Sequence, residues 1–212
     1  RGHPRVKQSV SKDGGNTWST PENTELNCPD SGVAATKLAS GRVLLAYNNT
    51  PEWDRTPFNI IQSTDDGKTW TLKNRGIEDN TCAFEITLAE NGVLYLTVSA
   101  APMHKDGKKG MEYYSGAVYK STDGAESWTK LRVYEGPIFP NSIETDPENP
   151  DRIYLACWAG ISLSDLVGGD VTRAAGGNQT IDMRGGIFLS EDGGNTWKSI
   201  FDEDQYVYDV TA

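Results

Sequence analysis

The chain has 212 residues, with 30 acidic against 20 basic side chains, a formal net charge of −10, 22 glycines and 36% hydrophobic content. That length suits one domain of ordinary size, and no run of about 18 apolar residues is present to span a membrane. No basic stripe stands ready to neutralise phosphates, so no nucleic-acid partner is expected.

Arg1-Gly2-His3-Pro4-Arg5 has no apolar stretch behind it, so no secretory signal is expected in these residues. His3 and His104 are the only histidines and neither sits near Cys28, Cys82 or Cys157. No zinc site and no cofactor are therefore expected. The cysteines form either one disulfide with a spare thiol or, the favoured reading, three buried thiols.

Four segments share the pattern Ser-x-Asp-x-Gly-x-Thr-Trp, at 11–18, 63–70, 121–128 and 190–197. The third carries Ala125 at the glycine position and Ser127 for threonine. Serine-to-serine spacings of 52, 58 and 69 residues fit one four-stranded propeller blade per repeat. Each motif reads as a tight turn between two strands. Asp13, Asp65, Asp123 and Asp192 accept backbone N–H groups, and the glycine permits positive φ. Trp18, Trp70, Trp128 and Trp197 bury apolar surface at the start of the outgoing strand. These eight residues are expected to be structural.

In chain order, Val6–Val10 is a strand leading into the first motif. Val33–Leu38 turns at Ala39-Ser40-Gly41 into Arg42–Tyr47, and Phe58–Gln62 leads into the second motif. Ala83–Leu88 turns at Glu90-Asn91-Gly92 into Val93–Ser99, Asn-Gly being a strong hairpin signal. Ala117–Lys120 enters the third motif. Ser142–Thr145 turns at 146–151 into Arg152–Trp158, and Gly186–Leu189 enters the fourth. Tyr206–Thr211 has the pattern of one more first strand. Helical periodicity is absent, so an all-β chain is predicted.

Each blade then runs strand A, short turn, B, long loop, C, motif turn, D. The predicted fold is a β-propeller of four-stranded antiparallel blades, with residues 1–212 forming a single propeller domain or a fragment of one. Three complete blades are expected, with a C–D pair at one end and an A strand at the other. Either the end pieces close into a fourth blade or the chain is part of a six- or seven-bladed ring. A six-bladed ring needs roughly 300 residues, which favours the second.

The B–C loops, Asn48–Pro57, Ala100–Ser115 and Ala159–Gly185, are long and varied, and all fall on the face opposite the motif turns. Irregular loops on a rigid scaffold are where binding chemistry concentrates. In the first, Trp53 offers a platform for a sugar ring, Asp54 a carboxylate and Arg55 a fork for a ligand carboxylate. The alternative is an exposed Asp54–Arg55 pair. In the second, Glu112 stands beside Tyr113; the alternative is that these residues begin strand C and pack between blades. In the third, Trp158 is a second aromatic contact, and Arg184 or Arg173 an anion clamp or a solvated side chain. Sequons at Asn48 and Asn178 permit glycosylation.

The repeats resemble the Asp-box (BNR-repeat) β-propellers, a superfamily that includes sialidases, xyloglucan-active glycosidases and sortilin-type receptors. The resemblance covers the whole chain. Ser31-Gly32-Val33 through Tyr47-Asn48, with Arg55-Thr56-Pro57-Phe58-Asn59 and the box at Ser63, is similar to the sialidase-like branch. Phe84–Gly92 is similar to that branch's glutamate-bearing strand, offset by two places at Glu85. Asn141-Ser142-Ile143-Glu144-Thr145-Asp146-Pro147, Arg152-Ile153-Tyr154 and Gly186–Ser190 are similar to the xyloglucanase and sortilin branch.

The resemblance implies a carbohydrate-active propeller, foremost a sialidase-like exo-glycosidase. Tyr113 would then be the nucleophile with Glu112 as its partner, and Asp54 the acid. Arg55, Trp53, Arg184 and Trp158 would bind substrate. The alternative is a non-catalytic propeller that binds glycan or peptide, like a lectin or a sortilin-type receptor. The implied partner is an oligosaccharide or glycoconjugate, and the implied location is extracellular, periplasmic or lumenal.

Overall fold

The computed structural model of the chain describes residues 5–29, 31–51, 57–77, 82–99, 101–103, 112–114, 116–135, 138–158, 161–162, 180–181, 185–201 and 207–212. Every regular element among them is a strand. β1 (Arg5–Gln8) and β2 (Glu22–Asn27) form a leading hairpin through the first box. Blade I is the sheet of β3 (Ala34–Lys37), β4 (Val43–Asn48), β5 (Phe58–Ser63) and β6 (Thr71–Leu72) in that order. Blade II holds β7 (Cys82–Leu88), β8 (Leu94–Ser99), β11 (Ala117–Ser121) and β12 (Thr129–Leu131). Blade III holds β13 (Pro140–Thr145), β14 (Ile153–Cys157), β17 (Gly186–Ser190) and β18 (Lys198–Phe201).

All pairings are antiparallel between chain neighbours, so each sheet is the expected up-and-down blade. Two further hairpins sit in B–C connections: β9 (Ala101–Met103) with β10 (Glu112–Tyr114), and β15 (Ile161–Ser162) with β16 (Thr180–Ile181). Strand C of blade II begins at Ala117, so Glu112–Tyr114 belongs to a separate hairpin and does not open that strand.

Blades I and II are apolar on both faces because each lies between two neighbours. Leu45, Tyr47 and Ile61 of blade I meet Val6, Leu26 and Trp70 on one side. On the other, Leu44, Ala46 and Ile60 pack with Ile86, Leu96, Val98, Tyr119 and Trp128 of blade II. Tyr95 and Val118 then meet Ile143, Ile153, Leu155 and Phe188 of blade III. Burial at roughly 25 cal/mol per Å² of apolar surface makes these three interfaces the main stabilising term. Cys28 and Cys157 are free and buried. Asn48 ends β4 at 1% exposure, so the sequon there presents no accessible amide for a glycan.

The four boxes repeat one hydrogen-bond set. Thr17 donates its amide to Asp13 Oδ1 and its hydroxyl to Asp13 Oδ2, and Gly15 donates its amide to Ser11 Oγ. The same bonds recur around Asp65, Asp123 and Asp192. They hold each carboxyl down at about 2. The largest single cause is the hydroxyl of Thr17, Ser127 or Thr196, and at Asp65 the amide of Thr69.

The third box departs from the others. Ala125 is fully buried at φ +73°, and Trp128 donates its indole N–H to Lys73 O of blade I at 3.0 Å. Trp18 and Trp197 instead donate to their own boxes, at Gly15 O and Gly194 O. Trp128 N also donates to Arg75 O, and Lys73 Nζ reaches Glu126 at 2.7 Å. The degenerate box is a clamp between blades I and II. It leaves no room at Gly76 (φ +90°), where a Cβ would lie 2.0 Å from Trp128 O.

Two outcomes follow from these bonds. Gly76→Ala adds that backbone clash to the ~1–2 kcal/mol left-handed penalty, whereas Gly14→Ala, with open space around it at φ +71°, meets the penalty alone. Chemical denaturation should rank Gly76→Ala as clearly the less stable. Between about pH 4 and 2 the unfolded chain binds more protons than the four box carboxylates of the fold. Stability present above that window is lost as pH falls through it, and Asp192→Asn should flatten the slope in thermal melts.

Candidate functional site

The inner edge of each blade is its A strand, whose outer hydrogen-bonding groups have no ladder partner. Side chains of the neighbouring blade serve them. Glu85 Oε2 on β7 accepts the amide of Ile143 at 2.9 Å, and Thr87 Oγ1 donates to Ile143 O at 2.9 Å. Glu85 pairs Thr97 and Ser142 pairs Ala156, both at the fourth residue of strand B, so the two positions are equivalent. Thr87 and Glu144 are equivalent in the same way, opposite Tyr95 and Tyr154. The A strands of blades II and III carry the same bulge just upstream, between Ala83 and Glu85 and between Pro140 and Ser142.

The next inner segment is 207–212. Val207 N donates to Cys157 O at 3.4 Å, Asn141 Nδ2 to Val207 O at 3.3 Å, and Ser142 Oγ to Asp209 Oδ1 at 2.8 Å. The expected strand over Tyr206–Thr211 is not formed at 207–212, because its partners are side chains and not a backbone ladder. Glu85, Glu144 and Asp209 thus occupy three successive inner segments. Burial, then the charges of Glu85 and Asp209, push the Glu144 carboxyl above the ordinary glutamate range.

Above this row lies an aromatic group. Trp158 follows β14 and is stacked on Phe139 at 4.9 Å between centroids and 17° between planes. Its amide donates to Phe139 O at 3.0 Å. Tyr208 stands edge-on to Trp158 at 5.0 Å and is 67% exposed. Tyr208 adjoins Asp209, which accepts from Ser142, and Glu144 shares the Ser142 face of β13 two residues nearer the A–B turn.

Of the sequence-predicted site residues, Trp158 stands in this group. The β9–β10 hairpin puts Glu112 and Tyr113 in the B–C connection of blade II, on the same loop face. Trp53, Asp54, Arg55 and Arg184 lie outside the described residues. Sequence reasoning missed Tyr208, Glu144 and Asp209. The available signal was a carboxylate interrupting the apolar pattern of an A strand at a position where blade II has Thr87.

The sequence profile of the BNR repeat-like domain matches residues 1–113, more than half of the chain. The chain belongs to that family. This BNR chain is 25% identical over 221 aligned residues to the xyloglucanase Xgh74A of Acetivibrio thermocellus, covering 93% of itself and 23% of the relative. It therefore spans about a quarter of the length of that curated relative. Among solved structures, the GH74 enzyme of Niastella koreensis superimposes with a TM-score of 0.57 at 21% identity, covering 91% of this chain and 26% of that one. The Hadza microbial sialidase Hz136 matches at 0.50 and 15% identity, covering 92% and 40%. The fold is that of a β-propeller.

Removing the Glu85 carboxylate strands a buried amide, so Glu85→Ala should cost ~1–3 kcal/mol in chemical denaturation. Glu144, with its folded value raised, binds its proton more tightly in the fold than in the unfolded chain. Its contribution is present at acid pH and lost as pH rises from the ordinary glutamate value through the raised one. Thermal melts of Glu144→Gln should lack that decline.

Proposed function

We propose that this BNR propeller is carbohydrate-active: a neutral glycan chain lies across the loop face and a glycosidic bond is hydrolysed there. The observation that carries this is the Trp158–Tyr208 pair, with Tyr208 exposed, next to Asp209, whose charge in turn acts on the Glu144 carboxyl. Aromatic faces suit the C–H faces of a pyranose, and a carboxyl whose hold on its proton is strengthened by burial and like charge suits a general acid. The row of carboxylates disfavours an anionic sugar. Similarity to a xyloglucanase supports the neutral class.

A sialidase-like exo-glycosidase is the second reading, supported by the place of Glu112 and Tyr113 on the same loop face. There Tyr113 attacks with Glu112 as its partner, Asp54 is the acid, Arg55 and Arg184 hold the substrate carboxylate, and Trp53 packs on the ring. Either enzyme would work outside the cytoplasm.

Turnover of xyloglucan and cello-oligosaccharides beside fluorogenic sialosides separates the readings. The proposal expects cleavage of the neutral substrates alone. Trp158→Ala and Tyr208→Ala should each weaken substrate binding about 10-fold, and Glu144→Gln should lower kcat. Sialoside cleavage abolished by Tyr113→Phe would replace it with the second reading. Glycan affinity without turnover would make the propeller a lectin.

A further inference from the structure

A second site lies on the opposite side of the fold, between the leading hairpin and the box of blade I. There a cleft of about 260 Å³ is lined by Gln8, Glu22, Asn23, Glu25, Lys68 and Trp70, among others. Counting back from each box serine, Gln8 occupies the position of Ile60 in blade I and Val118 in blade II, both fully buried. Its pairing partner Glu22 occupies the position of Leu131. At the junction of blades II and III, Leu131 presses so closely that a Cβ on Gly194 would meet its Cδ1 at 2.7 Å. Over Gly67, the equivalent of Gly194, the nearest atoms are Trp70 Cζ2 at 3.4 Å and Gln8 Nε2 at 3.6 Å. Two positions that are apolar and filled at the junction of blades II and III are polar here, and the space is open.

Trp70 differs from its sister tryptophans in the same place. The indole N–H groups of Trp18, Trp197 and Trp128 are bonded to Gly15 O, Gly194 O and Lys73 O. That of Trp70 has no acceptor among the described residues, although the ring is braced against Leu45, Tyr47 and Ile61. The side chains of Gln8, Glu22, Asn23, Glu25 and Lys68 likewise make no hydrogen bond to a described residue. A rigid aromatic face, one spare donor and a ring of amide, carboxylate and ammonium groups together match the ring and hydroxyls of a sugar. The cleft, slightly smaller than the ~300–1,000 Å³ of sites for drug-sized ligands, is on the scale of a single ring.

We propose that this cleft is a second carbohydrate-binding site, which seats one neutral pyranose of a glycan chain against Trp70, with the Gln8 and Asn23 amides and the Trp70 indole donating to its oxygens and Glu22 accepting from its hydroxyls. It takes only the class of ligand from the reading of the loop face, and its seat is separate. Two sites on opposite sides fit a long or branched polysaccharide better than a terminal sugar, because a second seat raises the effective concentration of the chain.

The indole N–H signals of Trp70 and Trp158 in ¹⁵N-labelled protein report the two sites independently. Cellotetraose, laminaritetraose and a xyloglucan nonasaccharide are the probes, with sialyllactose as the anionic control. At least one neutral probe should shift the Trp70 signal. Gln8→Leu and Glu22→Leu, which install apolar side chains like Val118 and Leu131 of blade II and keep the fold, should weaken that response at least 10-fold and leave Trp158 unaffected. Trp158→Ala should leave the Trp70 response intact, so loss at Trp158 alone counts against the loop face and not against this cleft. A Trp70 signal unmoved by all three neutral probes, moved by sialyllactose alone, or moved equally in both leucine variants overturns the proposal.

Discussion

Blades I and II are apolar on both faces, and that constraint governs the packing. A blade such as β3–β6 has Leu44 and Ile60 on one side and Leu45 and Ile61 on the other, so it needs a neighbour on each. Burial on both faces forces a radial stack, and the stack brings the A strands together along their free edges. Those edges lack a ladder, so they recruit side chains: Glu85 and Thr87 for Ile143, and Asn141 for Val207 in the segment carrying Asp209. The carboxylates of the inner edge are thus placed by the same geometry that holds the blades.

The Asp boxes serve that packing at the turns between strands C and D. Their carboxylates are saturated by hydroxyl and amide donors within the turn, which leaves them poor acids or bases. What varies among boxes is the tryptophan. In the third box it crosses to Lys73 O and clamps two blades, while in the second its N–H is left facing a polar cleft. One motif supplies a turn, a clamp and a candidate sugar platform, according to what the preceding D strand places beside it.

Much of the architecture was legible in the sequence because turn chemistry and period-2 patterning are local. The box turns and the hairpins at Gly41 and Gly92 stand where their residues placed them, each glycine at positive φ. The segment near Val207–Thr211 was misread, since its valines and aromatics carry strand propensity while its partners are the side chains of Asn141 and Ser142. Glu144 was passed over because its character comes from Glu85, far away in sequence, and from burial. Trp158 was found from its loop, but its meeting with Tyr208 depends on a contact across 50 residues of chain.

The most direct measurement is a crystal structure of the protein soaked with a xyloglucan oligosaccharide. The account predicts a pyranose ring in van der Waals contact with Trp158 and Tyr208, and the Glu144 carboxyl within hydrogen-bond reach of a glycosidic oxygen. A chain bound elsewhere on the loop face, away from both aromatic rings and Glu144, would contradict it.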